Sequence, residues 1–152
     1  KVMQNVYNPI FSKIAIKNNI NKVTQMTTKI KNTSYFLSII FAIFLIFFYF
    51  LFIKLIISNQ TYLESFEPFL ILMIGITLSS GYLPFFEIFS MAKFPALNSL
   101  FFVCFFFFNF SGNFILIPHL GINGAALATA FSYIFSSCLL SYFSKKFLKI
   151  FI

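Results

Sequence analysis

Asn109 and Asn113 are the side chains of this sequence best placed to act inside an apolar environment. They lie in a run, Leu97 to Ile117, that carries no Lys, Arg, Asp, Glu or His and is dominated by phenylalanine and aliphatic residues. On a helix, positions four apart share one face, and Gly112 lies beside them, so the spacing predicts a narrow polar stripe. Carboxamides do not titrate; they donate and accept hydrogen bonds. In lipid they need either a partner helix or a wet cavity, and both readings stay open from the residues alone. A second neutral polar group, Ser79 and Ser80, sits in the uncharged run from Pro68 to Phe86 together with Gly75, Thr77, Gly81 and Pro84. Lys54 is the one lysine at the end of an apolar run, where it can meet an anionic ligand or reach out to the membrane interface.

Catalytic chemistry has little to work with here. The chain holds one histidine (His119), no aspartate and three scattered glutamates (Glu64, Glu67 and Glu87), so no acid–base set or metal cluster is expected, and the chain is not read as an enzyme. Cys104 and Cys138 both fall inside apolar runs, where a thiol behaves as a small apolar residue. No cofactor is implied.

The elements that must position these residues are membrane-spanning helices. A helix rising about 1.5 Å per residue crosses about 30 Å of hydrocarbon in about 20 residues. Four uncharged stretches of that length occur, 35–53, 68–86, 97–117 and 121–143, predicting transmembrane helices over 35–57, 68–89, 97–117 and 121–143. They are preceded by an amphipathic basic connector, 1–34, and followed by a basic tail, 144–152. With 60% hydrophobic residues and 27 phenylalanines in 152, the chain is too apolar for water, so the expected fold is an all-α integral membrane bundle. Lipid offers no hydrophobic force to join helices, which makes further partner helices plausible.

The net charge of +8 comes from eleven lysines without an arginine. They flank the apolar runs instead of forming a nucleic-acid footprint, so no nucleic-acid partner is expected. Six precede the first run (Lys1, Lys13, Lys17, Lys22, Lys29 and Lys31), Lys93 lies between the second and third, and Lys145, Lys146 and Lys149 follow the fourth. The positive-inside rule puts both ends and the middle loop in the cytoplasm, as an even number of crossings requires. No targeting peptide is visible, and a first residue of Lys1 gives the chain the look of an internal or C-terminal piece.

Several local features carry definite expectations. Ile16, Ile20, Val23 and Ile30 form an apolar stripe between lysines, predicting a helix that lies on the membrane or on neighbouring helices and runs into the first span, or else a solvated connector. Asn59-Gln60-Thr61 matches a glycosylation acceptor, a triplet common by chance. Gly81 to Pro84 predicts a bend in the second span, tolerated only where protein or water satisfies the freed backbone groups. Pro118-His119-Leu120-Gly121 predicts a tight reversal in which proline ends one helix and glycine turns the chain. Gly124, Ala125, Ala128 and Ser132 then make the next helix narrow, so the third and fourth spans are expected to pair as an antiparallel hairpin. His119 on that turn is read as an interfacial polar residue.

The stretch N-F-I-L-I-P-H-L-G-I-N-G-A-A-L-A-T, from Asn113 to Thr129, resembles the helix–turn–helix signature of bacterial polysaccharide flippases in the multidrug/oligosaccharidyl-lipid/polysaccharide exporter superfamily. A second likeness is Asn8-Pro9-Ile10-Phe11-Ser12-Lys13 with the basic helix through Lys31, similar to that family's cytoplasmic connection between second-lobe helices. The resemblance implies that the chain is part of one lobe of a larger two-lobe transporter with missing helices as partners. It also implies a location in the bacterial inner membrane as part of O-antigen or capsule synthesis. The substrate it implies is a polyprenyl-pyrophosphate-linked oligosaccharide, moved by alternating access through a wet polar cavity. On that reading Asn109, Asn113, Ser79 and Ser80 bind sugar, Lys54 attracts the pyrophosphate, and Pro118, Gly121, Gly124, Ala125 and Ala128 shape the turn and its packing. An ion-coupled multidrug exporter of the same superfamily is the nearest rival, but it favours a carboxylate within the uncharged runs, whereas Glu87 stands at the inner edge of the second span and is read as an interfacial polar residue. A membrane-embedded transferase, lacking its acid or metal set, and a purely structural membrane subunit are the rivals of other classes.

Overall fold

Every described element is helical. The computed structural model describes residues 20–52 and 64–149. Helix α1 (Ile20–Phe52) runs for 33 residues without a glycine or proline to break it, so the described part of the connector, 20–34, and of the first span, 35–52, are one rod. Its buried positions Val23, Thr27, Ile30, Ser34 and Ala42 fall on one face. Elsewhere along its girth Phe36, Phe41, Ile43, Phe44 and Phe47 stand exposed. The apolar stripe around Val23 and Ile30 therefore lies against neighbouring helices.

Helix α2 (Phe66–Ser79) carries Pro68 in its first turn, where a missing N–H removes no helical bond. It ends in a 62° bend, after which come a 3-10 turn (Leu83–Phe85) and the short helix α3 (Ile88–Met91). The break, at residues 80–82, overlaps the expected Gly81–Pro84 interval and begins one residue before it. Pro84 has no N–H, and the chain tightens to three-residue bonds, Tyr82 N–H to Ser79 O (2.9 Å) and Phe85 N–H to Tyr82 O (2.9 Å). A Schellman closure follows α3: Lys93 N–H bonds Ser90 O and Phe94 N–H bonds Phe89 O, with Lys93 itself left-handed at φ 66°.

Helix α4 (Pro95–Phe143) opens on a proline at its first turn and is broken once, at Gly121, whose φ of 56° and ψ of −130° only glycine adopts with ease. These angles are those of the first central residue of a type II′ turn. Two arms, 95–120 and 122–143, result, and a π-helical turn (Ser144–Leu148) extends the second. Contacts step outward from the break in antiparallel order. A Cβ on Gly124 would strike the Leu116 carbonyl, one on Gly112 would come 3.1 Å from the Ala128 methyl, and the Phe108 and Phe135 rings stack at 4.2 Å.

The second arm is the centre of the bundle. Gly124, Ala126, Ala128, Ala130 and Ser132 are all buried. Two residues on a helix are about 200° apart, so this alternation means burial on opposite faces at once. Ala128 meets the first arm at Gly112, and Ala130 meets α2 at Gly75, where an added Cβ would lie 2.6 Å from the Ala130 Cα. The apolar core gathers at one end, where Val23, Ile30, Phe85, Ile88, Phe89, Phe101 and Leu140 pack together. Lys29, Lys31, Lys93, Lys145, Lys146 and Lys149 belong to that end, with Glu87, whereas Glu64, Glu67 and His119 belong to the other.

By length and apolarity two helical stretches can cross a membrane, Val23–Tyr49 and Pro95–Leu148, or three if the bent pair Phe66–Ser79 and Leu83–Met91 counts as one. Several boundaries differ from expectation. The third helical run starts at Pro95, not 97, because a proline at the first turn needs no donor. It also continues through Pro118 to Leu120, since that proline forfeits a single backbone bond, whereas the conformation of Gly121 interrupts the helix outright. The tail expected from 144 onward is helical to Leu148, with Ser144 buried. Lys54, Ile16, the Asn8–Lys13 motif and Asn59-Gln60-Thr61 lie outside the described residues.

Candidate functional site

Two polar groups occupy the helix contacts, one within the α4 hairpin and one in the α1–α2 seam. The first is a ladder across the hairpin. Asn113 Nδ2 donates to Asn109 Oδ1 (2.8 Å), and Asn109 Nδ2 donates to Ser132 Oγ (3.2 Å) and Thr129 Oγ1 (3.5 Å). Ser132 Oγ in turn donates to Ala128 O at 2.6 Å. The antiparallel register of the arms and the close Gly112–Ala128 approach bring these short side chains within reach. Asn109 is thereby occupied on both its donor and acceptor sides. Asn113, half-buried, keeps its carbonyl oxygen unpartnered among the described residues.

The second group surrounds the bend in the α1–α2 seam. Ser38 Oγ donates to Ser80 Oγ (2.7 Å), whose hydroxyl donates to Thr77 O (2.8 Å). The Tyr35 hydroxyl donates to Leu78 O at 3.1 Å. In an unbroken helix that carbonyl would pair with Tyr82 N–H, so a side chain from α1 satisfies what the bend releases. The fit requires Gly81, since a Cβ there would lie 2.7 Å from Tyr35 Cζ. Ser79 is fully buried, and its Oγ has no partner among the described residues.

Asn109 with Asn113, and Ser80 with Ser38, are therefore brought together in pairs, but the two pairs do not share a cavity. The described cleft of note, about 250 Å³, is apolar and lies between α1 and α2, with Ala42, Ile46, Leu70, Met73 and Ile74 among its lining residues. None of the four candidate sugar-binding residues lines it. Of the packing residues, Gly124 and Ala128 are buried, Ala125 is half-buried, and Pro118 and Gly121 are exposed on the turn.

Sequence reasoning passed over the buried Ala126 and over Ala130, the partner of Gly75 on α2, and did not pair Thr129 and Ser132 with Asn109. A helix buried on two faces leaves no single-period pattern, so only the alternation of small residues from Gly124 to Ser132 could have pointed to it. Also missed was the tie of Lys31 Nζ to the Tyr82 hydroxyl at 2.6 Å. At the opposite end Asn123 Nδ2 donates to Glu67 Oε2 at 2.9 Å, and Tyr49 stacks on Phe69 at 4.7 Å. Among the described residues no group of three or more His, Cys, Asp and Glu could hold a metal ion.

Neither protein-family models nor curated proteins nor solved structures show a match to this chain.

Proposed function

We propose that the protein is part of a multi-pass transporter of the bacterial inner membrane that carries a polyprenyl-pyrophosphate-linked oligosaccharide from the inner to the outer leaflet. The observation that carries the reading is the conformation of the stretch that resembles the flippase signature. Asn113 to Thr129 folds as a tight helical hairpin about Gly121, closed by Gly124 and tied by amide and hydroxyl side chains. As one straight rod the 54 residues of Pro95–Leu148 would reach about 80 Å, far beyond a bilayer core, whereas each arm alone matches one crossing. With α1 and the bent α2–α3 segment, the bundle then crosses four times. The lysine-rich end lies in the cytoplasm.

In this reading the hairpin and α2 form part of one lobe, and the exposed aromatic faces of α1 and the first α4 arm meet lipid or the remaining helices. Asn109 holds the hairpin shut while Asn113, with its open carbonyl, offers sugar hydroxyls a hydrogen bond from the polar stripe. Ser79 and Ser80 line the cavity only when the helices packed around the bend move aside, which for Ser80 means opening its bond to Ser38, and Lys54 attracts the pyrophosphate. The test is accumulation of lipid-linked glycan in a strain lacking the full-length gene, complemented with variants. Asn113→Leu should restore expression but not export; full export by that variant rejects its cavity role. Orientation is read separately in a background with Cys104 and Cys138 replaced. Glu64→Cys should react with an impermeant maleimide in intact cells and Lys93→Cys only after permeabilisation, and the reverse pattern overturns the topology.

A further inference from the structure

Lys31, Tyr35, Ser38, Ala42, Ile46 and Tyr49 recur at spacings of four and three along α1 and so form one stripe. Each touches the α2 side of the seam: Lys31 at Tyr82, Tyr35 at Leu78, Ser38 at Ser80, Ala42 and Ile46 in the apolar cleft, and Tyr49 at Phe69. The seam therefore has a polarity of its own, a cation at the lysine-rich end and, about 16 Å further along at the helical rise, a wholly apolar cleft of about 250 Å³.

The cation is held in place but not neutralised. Lys31 is half-buried, and its Nζ donates to Tyr82 OH (2.6 Å) and lies 4.1 Å from the centre of that ring. An ammonium has three N–H donors, and among the described residues Tyr82 takes one and no carboxylate lies within ion-pair distance. Lys29, Lys93, Lys145 and Lys146 make the surrounding field positive. A partly desolvated ammonium with two open donors favours an anion with several acceptor oxygens. An apolar cleft on the same seam, beyond the Tyr35 and Ser38 contacts, favours an anion that carries a hydrocarbon chain long enough to pass along the outer edge of those contacts.

We propose that the α1–α2 seam is a binding site for one phosphate-headed membrane lipid, its headgroup on Lys31 and Tyr82 and its chain laid toward the Ala42–Ile46 cleft. The site requires only that α1 and α2 sit in a bilayer, so it stands whether or not the protein moves glycans. Native mass spectrometry of the full chain released from detergent reads it directly, with dioleoyl phosphatidylglycerol, dioleoyl phosphatidylcholine and water-soluble glycerol phosphate as probes. One phosphatidylglycerol should be retained in preference to phosphatidylcholine. Lys31→Gln should weaken it by about tenfold, as expected for loss of a charge-assisted bond, while Lys29→Gln leaves it unchanged. Ile74→Trp, an exposed position at the cleft that does not touch the headgroup site, should weaken the lipid without affecting helicity, and it keeps the test decisive if Lys31→Gln does not fold. Equal retention of both lipids, unchanged binding in Lys31→Gln or Ile74→Trp, or competition by glycerol phosphate at the lipid's own concentration would overturn the proposal.

Discussion

Replacing Asn109 with leucine removes the centre of the hairpin ladder, and its cost follows from the geometry. Two bonds of ordinary length, from Asn113 at 2.8 Å and to Ser132 at 3.2 Å, are lost, along with a marginal one to Thr129 at 3.5 Å. Interhelical hydrogen bonds in membranes average about 0.6 kcal/mol, with a maximum near 1.7, because the unfolded chain also finds partners there. Of the two, the Ser132 bond crosses between the arms and gives about 0.6 kcal/mol, and the Asn113 bond, an i,i+4 pair within the first arm, gives about 0.2–0.5 kcal/mol. Stranding the half-buried Asn113 amide adds to this, and the greater ease of leucine in lipid offsets part, so a net loss of about 1 kcal/mol is expected. Unfolding of the purified protein in mixed micelles of increasing dodecyl sulfate, followed by helicity, measures it. The discriminating result is a double-mutant cycle with Ser132→Ala, in which the pair should couple by about 0.6 kcal/mol. If the two losses simply add, the 3.2 Å contact contributes nothing and the hairpin is held by the small-residue packing alone.

Three further outcomes follow from the close approaches and the left-handed residue. Gly75→Leu should push α2 off the second arm and cost about 1–3 kcal/mol by overpacking, because the atoms it would meet, Ala130 Cβ and Cα, have no rotamer by which to give way; unchanged micellar stability would refute that contact. Gly81→Ala should displace the Tyr35 ring and break its bond to Leu78 O, and adding Tyr35→Leu should restore part of the loss by clearing the space, a compensation visible in the same assay. Lys93→Gly should raise stability by up to about 1 kcal/mol, since a side chain at φ 66° is strained in the left-handed region and glycine is not. A loss in the last case would show that the lysine charge matters more than the turn.

Much of the local structure was legible because it depends on neighbours in sequence. Pro84 and Gly81 announce the bend, since the missing N–H and the missing Cβ are properties of those residues wherever they stand. Gly121 announces the reversal for the same reason, and the extent of the apolar runs follows from the length of a helix against the thickness of a bilayer. The placement of lysines is equally local, and the structure gathers the described ones at one end because successive helices alternate in direction.

What the polar residues do could not be read in that way. Asn109 and Asn113 at a spacing of four are equally compatible with a cavity and with a tie. Only the register of the second arm, set by Gly112 against Ala128, delivers Ser132 and Thr129 to Asn109 and leaves the Asn113 carbonyl open. Ser80 bonds to Ser38 and Tyr35 to the carbonyl that the bend releases, across more than forty residues of chain. Lys31, one lysine among eleven by composition, becomes distinct solely because the bend carries Tyr82 to it. Helix extent and breakage are short-range consequences of backbone chemistry and apolar length, so the amino-acid order alone determined them. Which faces meet is set by shape at distances of a few ångströms between segments remote in sequence, and that was decided only when the helices packed.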